Sequence, residues 1–196
     1  MKKLIKLGLL SAALLATVAA NASEKLSVKV ASKASKMLSI SLTEVAKDEI
    51  IYIKDFNGEI LFSEKLEKSA NYTKVFSFST LPAGLYFVES NASDKIQSTP
   101  VVVDNKSVTL VDKSAKTYTA PVITLNENVM KVLVRNYNNA PVSISVYDQL
   151  GTLLSKSEDN TNTLVFGHYD TAKLASEVVI ISVTEGDYNF IKEIKL

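Results

Sequence analysis

The one histidine, His168, sits in Phe166-Gly167-His168-Tyr169-Asp170 and is the first residue to weigh for chemistry. A catalytic imidazole needs an acid, a nucleophile or an orienting partner beside it. The sequence offers no nucleophile elbow of the form Gly-x-Ser-x-Gly, so His168 reads as a loop or strand-end residue. There is no cysteine, which excludes a thiolate zinc site, a cysteine nucleophile and a disulfide framework, and a lone histidine excludes a two-histidine metal site. Glu59, Glu64, Glu67, Asp148, Glu158 and Asp159 provide carboxylates for glycoside hydrolysis. Most stand beside lysine in alternating segments, the pattern of a solvated face, and a hydrolase also needs a cleft to hold its sugar. Asp55-x-Asn57-Gly58-Glu59 and Glu158-Asp159-Asn160 present oxygens to calcium. A calcium ion takes roughly six to eight of them, and neither run approaches a full binding loop. No catalytic residue, metal ligand or cofactor is therefore expected, and the chain reads as non-enzymatic.

Binding through a surface needs different residues. Eight tyrosines accompany seven phenylalanines in a chain without tryptophan, and tyrosine gives large contact area at low entropic cost. Ordinary strand packing absorbs most of them. Phe56, Tyr72 and Tyr137, in or beside expected loops, are the least easily buried and are the candidate surface-binding residues. Nucleic acid is a poor fit, because Arg135 is the only arginine and arginine is the side chain suited to bidentate phosphate contacts.

The elements that must position these residues are strands. Beyond Ser23 the apolar period is 2: Leu26, Val28, Val30; Leu38, Ile40, Leu42; Met130, Val132, Val134; Ile144, Val146. Ahead of them, Lys2, Lys3 and Lys6 precede an apolar stretch from Leu7 to Ala20 and a small-x-small site at Ala20-Asn21-Ala22. Residues 1–22 thus read as a cleaved signal peptide, since a membrane helix needs about 20 apolar residues. Cleavage leaves 19 basic against 21 acidic residues and no membrane span. Hydrophobic residues make up 46% of the chain, enough to bury a core.

The two halves align at a nearly constant offset. Asp55 and Gly58 lie over Asp148 and Gly151, Ile51 over Ile144 and Leu81 over Leu174, with a one-residue slip upstream. This predicts a tandem repeat: a first sandwich over residues 23–104, a linker or extra strand over 105–117 and a second sandwich over 118–196. In the first copy strands are expected near 26–31, 37–43, 49–56, 59–67, 73–79, 85–90 and 95–103. The fold class is all-β, two immunoglobulin-like β-sandwiches after the signal. Asn57-Gly58 predicts a type I′ hairpin, and Pro100, which cannot donate to a ladder, predicts an edge.

Leu81-Pro82-Ala83-Gly84-Leu85-Tyr86-Phe87-Val88 is the most distinctive run. Pro82 and Gly84 suit a turn, and Tyr86 then stands where a tyrosine corner returns a hydrogen bond to upstream backbone. Gly58, Pro82, Gly84, Tyr86 and Gly151 are the candidate architectural residues. Together, the Asp55-x-x-Gly58 hairpin and the "LPAGLYFV" run resemble the C-terminal sorting domain of Bacteroidota type IX secretion, over Ile51 to Val103. Members of that family carry the motif at the extreme C-terminus, whereas here 93 residues follow Val103, and the second copy has Glu177 and Val179 in place of Gly84 and Tyr86. The resemblance implies a sandwich fold and an exported bacterial protein, periplasmic, cell-surface or secreted. It also implies a modification: Asp170-Thr171-Ala172 fits the Asp-Thr/Ser-apolar pattern of the O-glycosylation that this phylum applies to exported proteins, with Thr171 as acceptor. The functional expectation is a structural or binding protein with an unidentified protein or glycan partner. A carbohydrate-binding accessory module is the alternative, and a periplasmic strand-capturing chaperone the third choice.

Overall fold

The computed structural model describes residues 25–111, 114–159 and 161–196. The expected signal peptide, 1–22, lies outside the described residues. Alternation of apolar and polar side chains builds sixteen strands among them. In the first half these are β1 (Leu26–Ser32), β2 (Met37–Val45), β3 (Ile50–Asp55), β4 (Ile60–Lys65), β5 (Ser69–Ser77), β6 (Gly84–Asn91), β7 (Lys95–Val103), β8 (Val108–Leu110) and β9 (Lys116–Thr119). The second half holds β10 (Val122–Asn126), β11 (Val129–Arg135), β12 (Val142–Tyr147), β13 (Leu153–Asp159), β14 (Leu164–Asp170), β15 (Val178–Glu185) and β16 (Tyr188–Lys195). The chain is all-β, as the period-2 pattern requires, and a 3-10 turn at Thr171–Lys173 follows β14.

All pairings are antiparallel and fall into four sheets. Sheet 1 has the order β1-β2-β5 and sheet 2 the order β4-β3-β6-β7-β8, with β9 also on β7. Sheet 3 runs β10-β11-β14 and sheet 4 runs β13-β12-β15-β16. Adding nine to each label of β1-β2-β5 and β4-β3-β6-β7 reproduces sheets 3 and 4, so β1–β7 and β10–β16 share one strand order, to which β8 and β9 are added in the six-stranded sheet 2. Each pair of sheets encloses its own core. Leu38, Ile40, Leu42, Ile51, Ile53, Val88 and Val101 fill the first, and Met130, Val132, Val134, Ile144, Val146, Ile181 and Val183 fill the second. Burying one such side chain contributes about 1.5–3 kcal/mol, so the inward residues of β2 and β3, or of β11 and β12, fix the register.

Residues 105–117 contain β8 and the first half of β9. β8 turns back on β7, with Val103 opposite Val108, and β9 pairs with the other end of β7, with Ile96 opposite Tyr118. Pro100 therefore lies on an interior strand, contrary to the edge expected from its missing N–H. It falls in the gap between the residues paired with β8 (Val101–Val103) and those paired with β9 (Lys95–Ser98), where no donor is required. Its carbonyl accepts from Val111 N at 3.1 Å.

The hairpin at Asn57-Gly58 also differs from expectation. Gly58 has φ +84° but Asn57 is not in the positive-φ region, so the turn is not type I′. Gly58 N bonds Asp55 O at 3.1 Å, Asp55 N bonds Glu59 O at 3.0 Å, and the register shifts between Ile53 and Lys54. This is a turn closed by a glycine bulge. The β12–β13 turn repeats it: Gly151 has φ +82°, with Gly151 N to Asp148 O at 3.1 Å and Asp148 N to Thr152 O at 3.0 Å.

Candidate functional site

The β6 strand begins at the corner. Leu81 N bonds Phe78 O at 3.2 Å, Pro82 and Gly84 are exposed, and Tyr86 folds back so that its hydroxyl donates to Pro82 O at 2.9 Å. The Tyr86 ring is 5% exposed and meets Phe78 edge-on at 6.3 Å. Tyr86 therefore ties the loop to the first core, and its neighbours on β6 that point the other way are free to build a surface.

Those neighbours, Leu85, Phe87 and Glu89, form the floor of a groove of about 810 Å³ between the two halves. Ser98 and Pro100 of β7 extend the floor, Lys54 and Phe56 form one rim, and Lys116 and Tyr118 of β9 with Asp187 and Tyr188 of the second half form the opposite wall. Phe56 is 72% exposed. Tyr118 and Tyr188 stack with centroids 3.9 Å apart at 37°. Both oxygens of the buried Glu89 are engaged: Tyr188 Oη donates to Oε1 and Lys54 Nζ to Oε2. Burial first, and the Glu89 carboxylate next, push the Tyr188 phenol far above its ordinary range, and burial raises Tyr118. Both phenols stay protonated near neutral pH, and Tyr188 is the donor to Glu89.

The remaining acids of the groove are committed or solvated. Asp55 Oδ1 accepts the N–H groups of Asn57 at 2.9 Å and Glu59 at 2.8 Å, while Asp187 is highly exposed and faces Lys116 at 3.4 Å. His168 is remote from the groove, on the outer face of sheet 3 opposite Lys131. The arrangement is equipped to hold a ligand against apolar and aromatic surface between charged ends. It brings no unengaged acid next to a nucleophile among the described residues.

The three candidate surface aromatics lie on different elements. Phe56, in the β3–β4 turn, lines the groove. Tyr72 of β5 packs on the first core and donates to Glu64 Oε2 at 2.8 Å, burial first raising its phenol pKa. Tyr137 is exposed in the β11–β12 loop. Thr171 opens the 3-10 turn, half-buried, with Asp170 capping Ala172 N at 3.2 Å.

Sequence reasoning missed the residues that join the halves. Asn138 accepts from Thr117 N at 3.0 Å and donates to Thr117 O at 2.7 Å, as a strand backbone would, and also donates to Glu185 Oε1 at 2.8 Å. Thr119 Oγ1 donates to Arg135 O at 3.2 Å. Nothing in a turn-like Asn138-Asn139-Ala140-Pro141 run marks this role. Glu89 could have been suspected, since a charged residue between Val88 and Ser90 on a core-flanking strand needs a partner.

The segment that holds the corner and the Asp55 turn also matches a known family model. Residues 34–104 match the family model described as the secretion system C-terminal sorting domain. The match runs through β2 to β7 and contains the whole segment whose motifs resemble type IX sorting domains. That family implies export toward the cell surface or secretion. No curated protein matches the chain. Among solved structures, the chain is similar to a "Biofilm associated protein - BSP domain" at 14% identity and TM-score 0.29, over 88% of this chain and 29% of that one. It is similar to native alpha-2-macroglobulin from Escherichia coli, domains MG0-NIE-MG1, at 10% identity and TM-score 0.29, over 87% and 64%. The central fibronectin-III array of RIM-binding protein aligns at 12% identity and TM-score 0.29, over 87% and 95%. The chain thus spans under two thirds of the first two structures. Among the described residues no helix is long and apolar enough to cross a membrane.

Proposed function

We propose that the chain is an exported, non-enzymatic structural or binding protein of the bacterial envelope or exterior, and that the groove between sheet 2 and the β15–β16 turn is its principal binding surface. One observation carries this reading. The groove collects Phe56, Phe87 and Tyr188 between Lys54 and Lys116, with the buried Tyr118 stacked behind Tyr188, while its buried carboxylate, Glu89, is consumed by Lys54 and Tyr188. The sorting-domain match supports export. The same reading takes 23–104 and 118–196 as two copies of one sandwich joined by 105–117, supported by identical strand order and paired Asp-x-x-Gly turns.

The test is a pull-down from the native envelope with the wild-type chain and with Phe56→Ser, a change at an exposed turn. Loss of specific partners from the variant at unchanged melting temperature is the expected outcome; identical capture by both would remove the groove from consideration. The alternative, a carbohydrate-binding accessory, is favoured by an exposed Phe56 opposite stacked tyrosines and would appear as Phe56-dependent signal on a glycan array. Thr171 is proposed as an O-glycan acceptor. Intact mass of protein from the native host, with no added glycan on the Thr171 peptide, would dispose of that idea.

A further inference from the structure

Sheet 3 differs from the other three sheets in how its edges are finished. A free strand edge invites pairing with another chain, and proteins guard it with charge, bulges or short strands. Elsewhere in this molecule they do. β1 carries Lys29 and a register shift between Val30 and Ser32; β4 carries Glu64 and Lys65 opposite a shift; β5 carries Lys74; β13 carries Lys156 and Glu158 opposite a shift; β16 carries Lys192, Glu193 and Lys195. In sheet 3 the one charged edge residue is Asp170, the last of β14. Its edges are Val-Ile-Thr-Leu-Asn in β10 and Leu-Val-Phe-Gly-His-Tyr-Asp in β14, with no lysine, arginine, glutamate or proline. Both of its pairings run without a register shift.

The outer face of the same sheet is apolar where a solvated face is normally charged. Val122, Leu133 and Phe166 stand directly opposite one another across the three strands, and Leu164 lies beside them. Phe166 is 61% exposed. The chain's only arginine, Arg135, is opposite Leu164, and its only histidine, His168, is opposite Lys131. Exposed phenylalanine and leucine with arginine, on a face otherwise poor in charge, is the composition of an interface core.

We propose that β14 pairs antiparallel with β14 of a second copy of this chain, about a two-fold axis through Gly167, to form a continuous six-stranded sheet. The charge pattern selects the second copy. Along β14 a cation flanks the first residue, Arg135 beside Leu164, and Asp170 ends the strand, its Oδ2 in an exposed ion pair with Lys173 at 3.2 Å that the other copy's arginine would join. Antiparallel pairing about Gly167 sets Leu164 opposite the other copy's Asp170, so each arginine lies across one strand from the other copy's carboxylate. The same operation sets Phe166 opposite the other copy's His168 and joins the two apolar rows through an aromatic–imidazole contact. Such an interface is isologous: both copies offer the same patch, and it closes at two.

Sedimentation equilibrium on the exported chain should show a dimer, and Phe166→Lys, on a solvent-facing position, should raise the dissociation constant at least tenfold while leaving the melting temperature unchanged at concentrations where both chains are monomeric. The geometry has its own test, because the chain has no cysteine. Phe166→Cys chains mixed with His168→Cys chains under mild oxidation should form the mixed disulfide faster than either preparation forms its own, since directly opposite residues are closer than diagonal ones. A chain that stays monomeric at about 1 mM, or a dimer in which the mixed disulfide gains no advantage, overturns the proposal.

Discussion

Three tyrosines follow a glycine by two residues, and two of these pairs, Gly84 with Tyr86 and Gly167 with Tyr169, should respond differently to an added methyl group. In Gly84-Leu85-Tyr86 an added Cβ would lie 3.6 Å from Tyr86 Cε2, an ordinary contact. In Gly167-His168-Tyr169 it would lie 2.7 Å from Tyr169 Cε2 and 2.9 Å from the hydroxyl. The Tyr169 ring is 7% exposed and its hydroxyl meets Ser157 Oγ at 3.2 Å, so it joins sheet 3 to sheet 4 and has no free path away. Gly167→Ala should therefore destabilise by about 1–3 kcal/mol, the cost of overpacking, while Gly84→Ala stays within about 0.5 kcal/mol. Urea midpoints of the two variants compare them directly, and equal midpoints would reject the packing argument. In the sequence the second pair is hidden: aligning the halves places Val179, not Tyr169, under Tyr86.

The turns belong to the scale of the element, where reading the sequence succeeded in part. Strand positions followed from alternation because each inward residue buries against a sheet opposite. The type of the turns did not, because Asn-Gly suits several hairpins and the choice is made by the side chain of the residue two before the asparagine. Asp148 Oδ1 accepts Leu150 N at 2.9 Å and Thr152 N at 2.8 Å, as Asp55 does in the first half. Those bonds, led by the one from Thr152 N, hold the Asp148 carboxyl below the usual aspartate range. A folded-state pKa lowered in this way gives stability that is present above the unfolded value, about 3.9, and is lost as pH falls through the folded one. Asp148→Asn should thus lower stability near neutral pH and make its loss below about pH 4 less steep. Melting curves of variant and wild type from pH 7 to 2 read both effects; parallel pH profiles would show that the carboxylate charge plays no part. The strand β8 falls where the sequence allows a linker or extra strand; which strand it joins, and β9 altogether, were illegible because both are short and their place is fixed by β7 and by the second half.

At the scale of the molecule, the sandwiches are coupled by the bond from Tyr188 to Glu89 and by β9, bonded to β7 through its backbone and to Asn138 through Thr117. Asn138 in turn rests on Glu185, which is fully buried and whose Oε2 finds no partner among the described residues. Burial dominates and pushes the Glu185 carboxyl up, only partly opposed by the bond from Asn138. The unfolded carboxyl titrates near 4.3, so the folded state holds the proton more tightly. The stability this group allows is complete below about pH 4 and declines as pH rises through the raised folded value. Glu185→Gln keeps an oxygen for Asn138 and cannot ionise. Relative to that variant, the wild-type chain should lose stability as pH rises above about 4, read as a widening difference between urea midpoints measured at matched pH. A difference that stays constant across the range would mean that Glu185 is not held neutral at the junction. Because Asn138 bonds Glu185 and Thr117 with one amide, the same titration should loosen the link between the sandwiches. The wild-type chain should then move from one unfolding transition toward two as pH rises, while Glu185→Gln retains one.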